Sequence, residues 1–313
     1  MSRKPVRHAL EYAAFRVLAG VLRVLPEGLA LRLGGALGWF AGRVLGLRRA
    51  AVDANLKLAF PDRDPAWRSA VARASWVHLG REAVAMFRMA DLSPADLRAR
   101  VEMDEAGLAA LRTALGKGRG AVLVSGHLGN WEIGGAALAA HGVPVDAVAK
   151  GMANARFDAD LVATRERLGL RVVDMGRAPR EVLRSLRAGR AAALVADQNM
   201  HRGGLFVPFF GVPAATARGP ALFALRTGAP VFLGVALRAP GWPQRYRIHL
   251  REVPFAPTGD LEADVRTLTE AHVRALEALV RDTPDQYFWQ HKRWKTRPGG
   301  RGPAEEQAPG AAV

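Results

Sequence analysis

Val122-Leu123-Val124-Ser125-Gly126-His127-Leu128-Gly129-Asn130-Trp131-Glu132 carries an apolar run into a turn and out into a helix. The run ends at Ser125, two glycines supply a tight turn, and Asn130 is a favoured helix cap. A buried strand, a turn and a helix start are therefore predicted in that order. In open α/β sheets, ligands bind beyond the carboxyl ends of strands. His127 falls at that point, and Glu132 lies in the first turn of the helix. An imidazole placed there can take the proton of a hydroxyl as it attacks a carbonyl, help worth roughly 10²–10⁴ in rate. A nearby carboxylate can fix the tautomer and stabilise the imidazolium. The helix start offers free N–H groups for a phosphate or a developing oxyanion. The same spacing also suits a strand cap and a helix-start charge with no chemistry.

Outward from this stretch, apolar runs recur at 145–149, 171–173, 191–196, 231–236 and 246–250. Helical patterns alternate with them at 131–141, 156–168, 180–188, 218–227 and 262–282. Strands spaced by helices predict an α/β fold, a three-layer domain whose mostly parallel central sheet is flanked by helices. It spans residues 51–297. Residues 298–313, rich in Gly, Pro, Ala and charge, read as a disordered tail. No internal repeat is present.

Residues 1–50 read as membrane-associating helices. Leu10, Ala14, Val17, Leu18, Val21 and Leu25 recur at helical spacing, with Arg16 and Arg23 on another face, as in a helix lying in a membrane interface. A core helix, or a short spanning helix with snorkelling arginines, fits the same pattern. Charges interrupt the apolar run expected of a signal peptide, and no ~18-residue uncharged span occurs. Gly34, Gly38, Gly42 and Gly46 leave one side of the next helix bare, open to another helix or a bilayer.

The formal net charge of +16 predicts an acidic partner, be it nucleic acid, an anionic membrane or an acidic carrier protein. No nucleic-acid-binding motif accompanies it. The absence of cysteine excludes disulfides, thiolate metal sites and a cysteine nucleophile. Phe206–Val212 reads as an apolar loop suited to an acyl channel or to core packing. Arg218, near a helix start, suits a phosphate or plain solvent. Asp197 suits ordering an arginine or a solvated turn. Tyr287, Trp289 and Trp294, interleaved with His291, Lys292, Arg293 and Lys295, suit lipid headgroups or a solvated end of the fold.

His127 to Glu132 resembles the H-x-x-x-x-D/E block of the lysophospholipid acyltransferase superfamily. Further blocks agree in order: Asn55-Leu56 with Ala59-Phe60-Pro61, Ala196-Asp197-Gln198, Phe206 to Gly211, Ala214 to Pro220, and Gln286-Tyr287 through Arg297. Together, over roughly residues 8–297, they resemble the lipid A biosynthesis acyltransferases, the late Kdo-dependent lauroyl and myristoyl transferases; the mycobacterial phosphatidylinositol mannoside acyltransferase is similar too. The resemblance implies that His127 is the general base and Glu132 its partner. It implies that Arg165 and Asp197 are functional, with Asn130, Gln198 and Arg218 also in substrate binding. Lys150 stands where many members carry arginine, which keeps a cation but loses the bidentate fork. An acyl-carrier protein or acyl-CoA donor, an anionic glycolipid acceptor such as a lipid A precursor, and work at the cytoplasmic face of the inner membrane are implied too. No metal or bound organic cofactor is required. Other acceptors (mannosylated phosphatidylinositol or a glycerophospholipid), a thioesterase, and a catalytically inactive basic membrane-binding protein are the rivals.

Overall fold

The computed structural model describes residues 3–299. The tail from 300 onward, and the side chains of Leu10 and Ala14, lie outside the described residues.

Four helices come first: α1 (Arg3–Val24), α2 (Glu27–Arg43), α3 (Arg49–Ala59) and α4 (Pro65–Arg88). Proline and capping chemistry set their ends. Pro26 precedes α2, and the Asp64 side chain accepts the Trp67 N–H at the start of α4, with Pro65 in its first turn. The glycine stripe of α2 serves another helix. A Cβ at Gly34 would lie 2.5 Å from the Gly80 carbonyl, and one at Gly38 would strike the Trp76 backbone, so α2 and α4 cross backbone to backbone. Gly46 has no such neighbour; its φ of +61° shapes the turn after the helix.

Among the described residues no helix is long and apolar enough to cross a membrane. The outer sides of α1 and α2 nonetheless expose Val17, Val21, Val24, Leu33, Leu37, Trp39 and Phe40.

α5 (Pro94–Arg100), started by a Ser93/Asp96 capping box, leads through β1 (Val101–Glu102) to α6 (Glu105–Gly116). The layered part follows: β2 (Ala121–Ser125), α7 (Trp131–Ala140), β3 (Val145–Ala149), α8 (Ala155–Arg167), β4 (Arg171–Asp174), α9 (Ala178–Arg187) and β5 (Ala191–Val195). After the hairpin β6 (Leu205–Phe209) and β7 (Val212–Thr216) come α10 (Gly219–Thr227), β8 (Val231–Arg238), β9 (Tyr246–Glu252) and α11 (Leu261–Asp282). The main sheet runs β1-β9-β8-β2-β5-β3-β4, parallel throughout except for β8 against β9. One core packs α3, α9, α10 and α11 on one face, and a second packs α5, α6 and α7 on the other. With both faces covered, the central strands read as unbroken apolar runs rather than alternating ones.

Two sequence expectations change. Phe206–Val212 follows the core-packing alternative and not the acyl channel, and it is no loop but most of a hairpin whose Phe209 is buried and stacks on Trp294 at 5.6 Å. The closing aromatic stretch is no lipid-facing rim. Tyr287, Trp289, Arg293 and Trp294 are buried, and Asn55 Nδ2 on α3 donates to the carbonyls of Trp289 (2.8 Å) and His291 (2.6 Å). Lys292, Lys295 and Arg297 are the exposed members. The apolar content of both segments comes from core packing, which local composition does not separate from a surface role.

Candidate active site

β2 lies at the centre of the sheet, and its carboxyl end delivers the turn Gly126–Asn130. Gly129 adopts φ +63°, and a Cβ there would strike the Ala236 carbonyl of β8, so the close approach requires glycine. The Asn130 N–H donates to that same carbonyl at 2.8 Å. Its side-chain oxygen accepts the Ile133 N–H and caps α7. Its amide donates to buried Glu82 on α4 (2.8 Å), which also takes the Tyr246 hydroxyl (2.7 Å) and Arg238 (3.0 Å). Residues 286–288 close the turn from the other side: the Phe288 N–H donates to the His127 carbonyl at 2.9 Å.

The imidazole held by this frame pairs with Asp197. His127 Nδ1 is 2.6 Å from Asp197 Oδ1, and the His127 backbone N–H donates to Oδ2 at 2.8 Å. A carboxylate accepts, so Nδ1 carries the proton and Nε2 presents its lone pair. The Gln198 amide lies 3.2 Å from Nε2, and Trp131 and Phe288 flank the ring, with centroids at 4.7 and 5.8 Å. Burial opposes charging the imidazole. The charge and hydrogen bond of Asp197, with the charge of Glu132, outweigh it and raise the pKa above the ordinary histidine value. Burial would likewise favour neutral Asp197, but the His127 contacts hold it below the usual carboxylate range.

Glu132 is therefore not the hydrogen-bonding partner expected from the sequence. Its carboxylate is engaged by the Arg165 fork from α8, with Nε to Oε2 at 2.9 Å and Nη2 to Oε1 at 2.5 Å. The reason is register. β5 pairs with β2 so that Val195 stands beside Ser125, which brings Asp197 alongside His127 two residues on. Glu132, in the first turn of α7, reaches α8 and acts on the imidazole through charge.

Two cavities meet at this pair. One, of about 190 Å³, lies against α4 and is lined by Ser75, His78, Leu79, Ala83, Met86 and Phe288. The other, of about 300 Å³, runs along α7 and the sheet, lined by Gly134, Gly135, Leu138, Val145, Leu170 and Ile248, with Lys150, Arg165 and Gln198. His127, Trp131 and Glu132 line both. Of the residues singled out in the sequence, Asn130, Lys150, Arg165, Asp197 and Gln198 gather with His127 and Glu132. Arg218 does not: it pairs with Glu262 at the start of α11, 2.6 Å away, and lines neither cavity. Trp131, Phe288 and Glu82 were missed as site residues. Trp131 stood inside the decisive stretch, whereas nothing local marked Glu82 on its helix.

Residues 1–296 match the family of bacterial lipid A biosynthesis acyltransferases. The chain belongs to this family. The acyltransferase is 29% identical over 280 residues to a phosphatidylinositol mannoside acyltransferase of Mycolicibacterium smegmatis, and 29% identical over 281 residues to the lipid A biosynthesis palmitoleoyltransferase of Escherichia coli. Each alignment covers 88% of both chains. It is also similar to the E. coli lipid A biosynthesis lauroyltransferase, at 27% over 297 residues and 94% of both chains.

Proposed function

We propose that this acyltransferase moves a fatty acyl group from an acyl-carrier-protein or acyl-CoA thioester to a hydroxyl of a lipid A precursor or related anionic glycolipid, with His127 as the general base. The observation that carries this is the partly exposed His127 imidazole, held by buried Asp197, standing where an apolar cavity meets a second opening. Nε2 takes the hydroxyl proton as the oxygen attacks the thioester carbonyl. The tetrahedral intermediate collapses, the C–S bond breaks, and the imidazolium returns the proton to the leaving thiolate. Asp197 holds the ring in the required tautomer and stabilises its charged form. Glu132 adds negative charge and anchors Arg165. Arg165 and Lys150 set cations along the larger cavity, suited to a phosphate or a developing oxyanion. The apolar length of that cavity suits the acyl chain, and the opening against α4 suits the acceptor.

The apolar outer side of α1 and α2, with Arg32, Arg43, Arg48 and Arg49 exposed nearby, suits an anionic bilayer at the cytoplasmic face of the inner membrane. The similarity to a phosphatidylinositol mannoside acyltransferase favours a second acceptor class, mannosylated phosphatidylinositol. Mass spectrometry of purified enzyme with acyl-carrier-protein and CoA donors, presented with each lipid, tests both. Transfer to one acceptor, reduced on the order of 10³-fold or more in His127→Ala, is expected. Free fatty acid with no acylated lipid would make the enzyme a thioesterase, and unchanged transfer by His127→Ala would remove the base assignment.

A further inference from the structure

Arg293 is a fully enclosed cation with no carboxylate in ion-pairing range among the described residues. Among the described residues its guanidinium donates to neutral oxygens only, the Ala215 carbonyl at 2.8 Å and Thr216 Oγ1 at 2.5 Å, and it lies over the Phe209 ring at 5.5 Å. Its Nε meets no acceptor among the described residues. Tying the hairpin β6–β7 to the closing stretch calls for hydrogen-bond donors, and a neutral amide supplies those without the cost of burying a charge. The positive charge itself needs another explanation.

The groups around it supply one. Asp197, on the loop after β5, is buried, and both its oxygens are used by His127. Its negative charge has no other full charge beside it while the imidazole is neutral. Arg293 acts on Asp197 across more than ion-pair distance and stabilises its ionised form. The remaining titratable neighbours carry no compensating charge. Burial and then Asp197 hold the Tyr287 hydroxyl protonated. Burial, reinforced by Arg293, pushes His272 of α11 down to about 4. His291, whose Nε2 accepts the Asn199 N–H at 2.9 Å, is held below the ordinary histidine value by burial, which outweighs the opposing charge of Asp197. On the far side of the ring, Glu132 is paired with Arg165; with His127 neutral, the Asp197 side thus holds one negative and one positive charge. Without Arg293, the lone buried carboxylate would be balanced best by protonating the imidazole.

We propose that Arg293 is a positioning residue of the transfer reaction: its buried charge balances Asp197 and leaves the His127 imidazole free to accept a proton. The inference rests on the assignment of His127 as the base, but its test needs no turnover. Histidine-selective NMR of the full chain, with the His127 signal assigned by its loss in His127→Gln, gives the midpoint of imidazole titration directly. Arg293→Gln keeps donors and removes the charge, and its midpoint should move up by about half a pH unit or more. Arg293→Lys keeps the charge, and Thr216→Val keeps it while removing one hydrogen bond. Both should stay within about 0.2 of the wild-type midpoint. If Arg293→Gln fails to fold, Arg293→Lys and Thr216→Val still decide: a shift upward in either as large as half a unit would make the role one of packing. An unmoved midpoint in folded Arg293→Gln would overturn the proposal. Loss of acyl transfer in His127→Ala is a separate measurement, so failure of the base assignment stays distinguishable.

Discussion

Asp197 and Glu132 both bring negative charge to His127, and they reach it differently. Asp197 accepts hydrogen bonds from Nδ1–H and from the backbone N–H of His127, so an asparagine there offers one acceptor where two are needed and turns a donor toward the ring or the backbone. Asp197→Asn is expected to lower kcat by roughly 10²–10⁴, with little change in the fold, because the imidazole is then held in the wrong tautomer. Glu132 acts through charge and through Arg165. Glu132→Gln is expected to cost less than about tenfold in kcat while moving the acid limb of kcat/KM downward. The sign follows from the raised His127 pKa. A base must be neutral to act, so wild-type activity should rise with pH through a midpoint above that of an ordinary histidine, and removing a charge that raises it lowers the limb. Parallel pH–rate profiles of the two variants check this; equal losses of kcat, or a limb in Glu132→Gln that moves upward, would contradict the assignment. At this scale the sequence named His127 and Glu132 from one short stretch. It also pointed to Asp197, but gave it an arginine to order. Which carboxylate meets the imidazole depends on the pairing of strands 70 residues apart in sequence.

Two helices carry the main consequences at the level of elements. The crossing of α2 on α4 leaves no room for a side chain at Gly38, where a Cβ would collide with the Trp76 backbone. Gly38→Val is expected to destabilise the protein by about 2 kcal/mol, read by urea unfolding. Gly20→Ala, which meets nothing within 4 Å, serves as the control. An unchanged midpoint for Gly38→Val would mean that the two helices do not pack in solution as described. On α7, Gly135 faces the larger cavity, and a Cβ there would sit 3.1 Å from Leu170 Cδ2. Gly135→Val should narrow that cavity and favour shorter acyl donors, lowering kcat/KM for a sixteen-carbon thioester relative to a ten-carbon one by roughly tenfold or more. An unaltered chain-length ratio would place the acyl chain elsewhere. The regular spacing of the α2 glycines was visible in the sequence as a bare helix side. Whether a helix or a bilayer covered it was decided by α4, whose Gly80 supplies the matching gap.

The whole molecule pairs an interior built for a small reaction with an outer surface rich in arginine. Apolar side chains on the outer faces of α1 and α2, up to Val24 at 87% exposure, stand beside exposed arginines on one chain of net charge +16. Binding to vesicles containing phosphatidylglycerol should therefore exceed binding to neutral phosphatidylcholine vesicles and weaken as salt rises. The double substitution Leu33→Asp and Leu37→Asp should weaken it roughly tenfold or more in a sedimentation assay while leaving unfolding by urea unchanged. Equal binding to both vesicle types, or no loss in the double variant, would remove the bilayer from this face. The basic aromatic stretch at 286–297, which shares the composition of a headgroup-binding surface, proved to be mainly interior; composition counts residue types and is blind to which side of the chain they face.

The sequence alone determined the alternation of the six longer strands of the main sheet with helices, the turn that carries His127, and the family-like succession of blocks, but not the hairpin β6–β7. These are properties of neighbouring residues: strand periodicity, proline and glycine punctuation, and caps act over a few positions. Tertiary structure decided that Asp197 holds the imidazole, that Arg165 takes Glu132, that Arg218 stands apart from the cleft, and that Arg293 is enclosed beneath the hairpin. Each depends on which strands lie side by side and in what register. That choice is made by burying both faces of the sheet at once, so no local stretch of the chain encodes it.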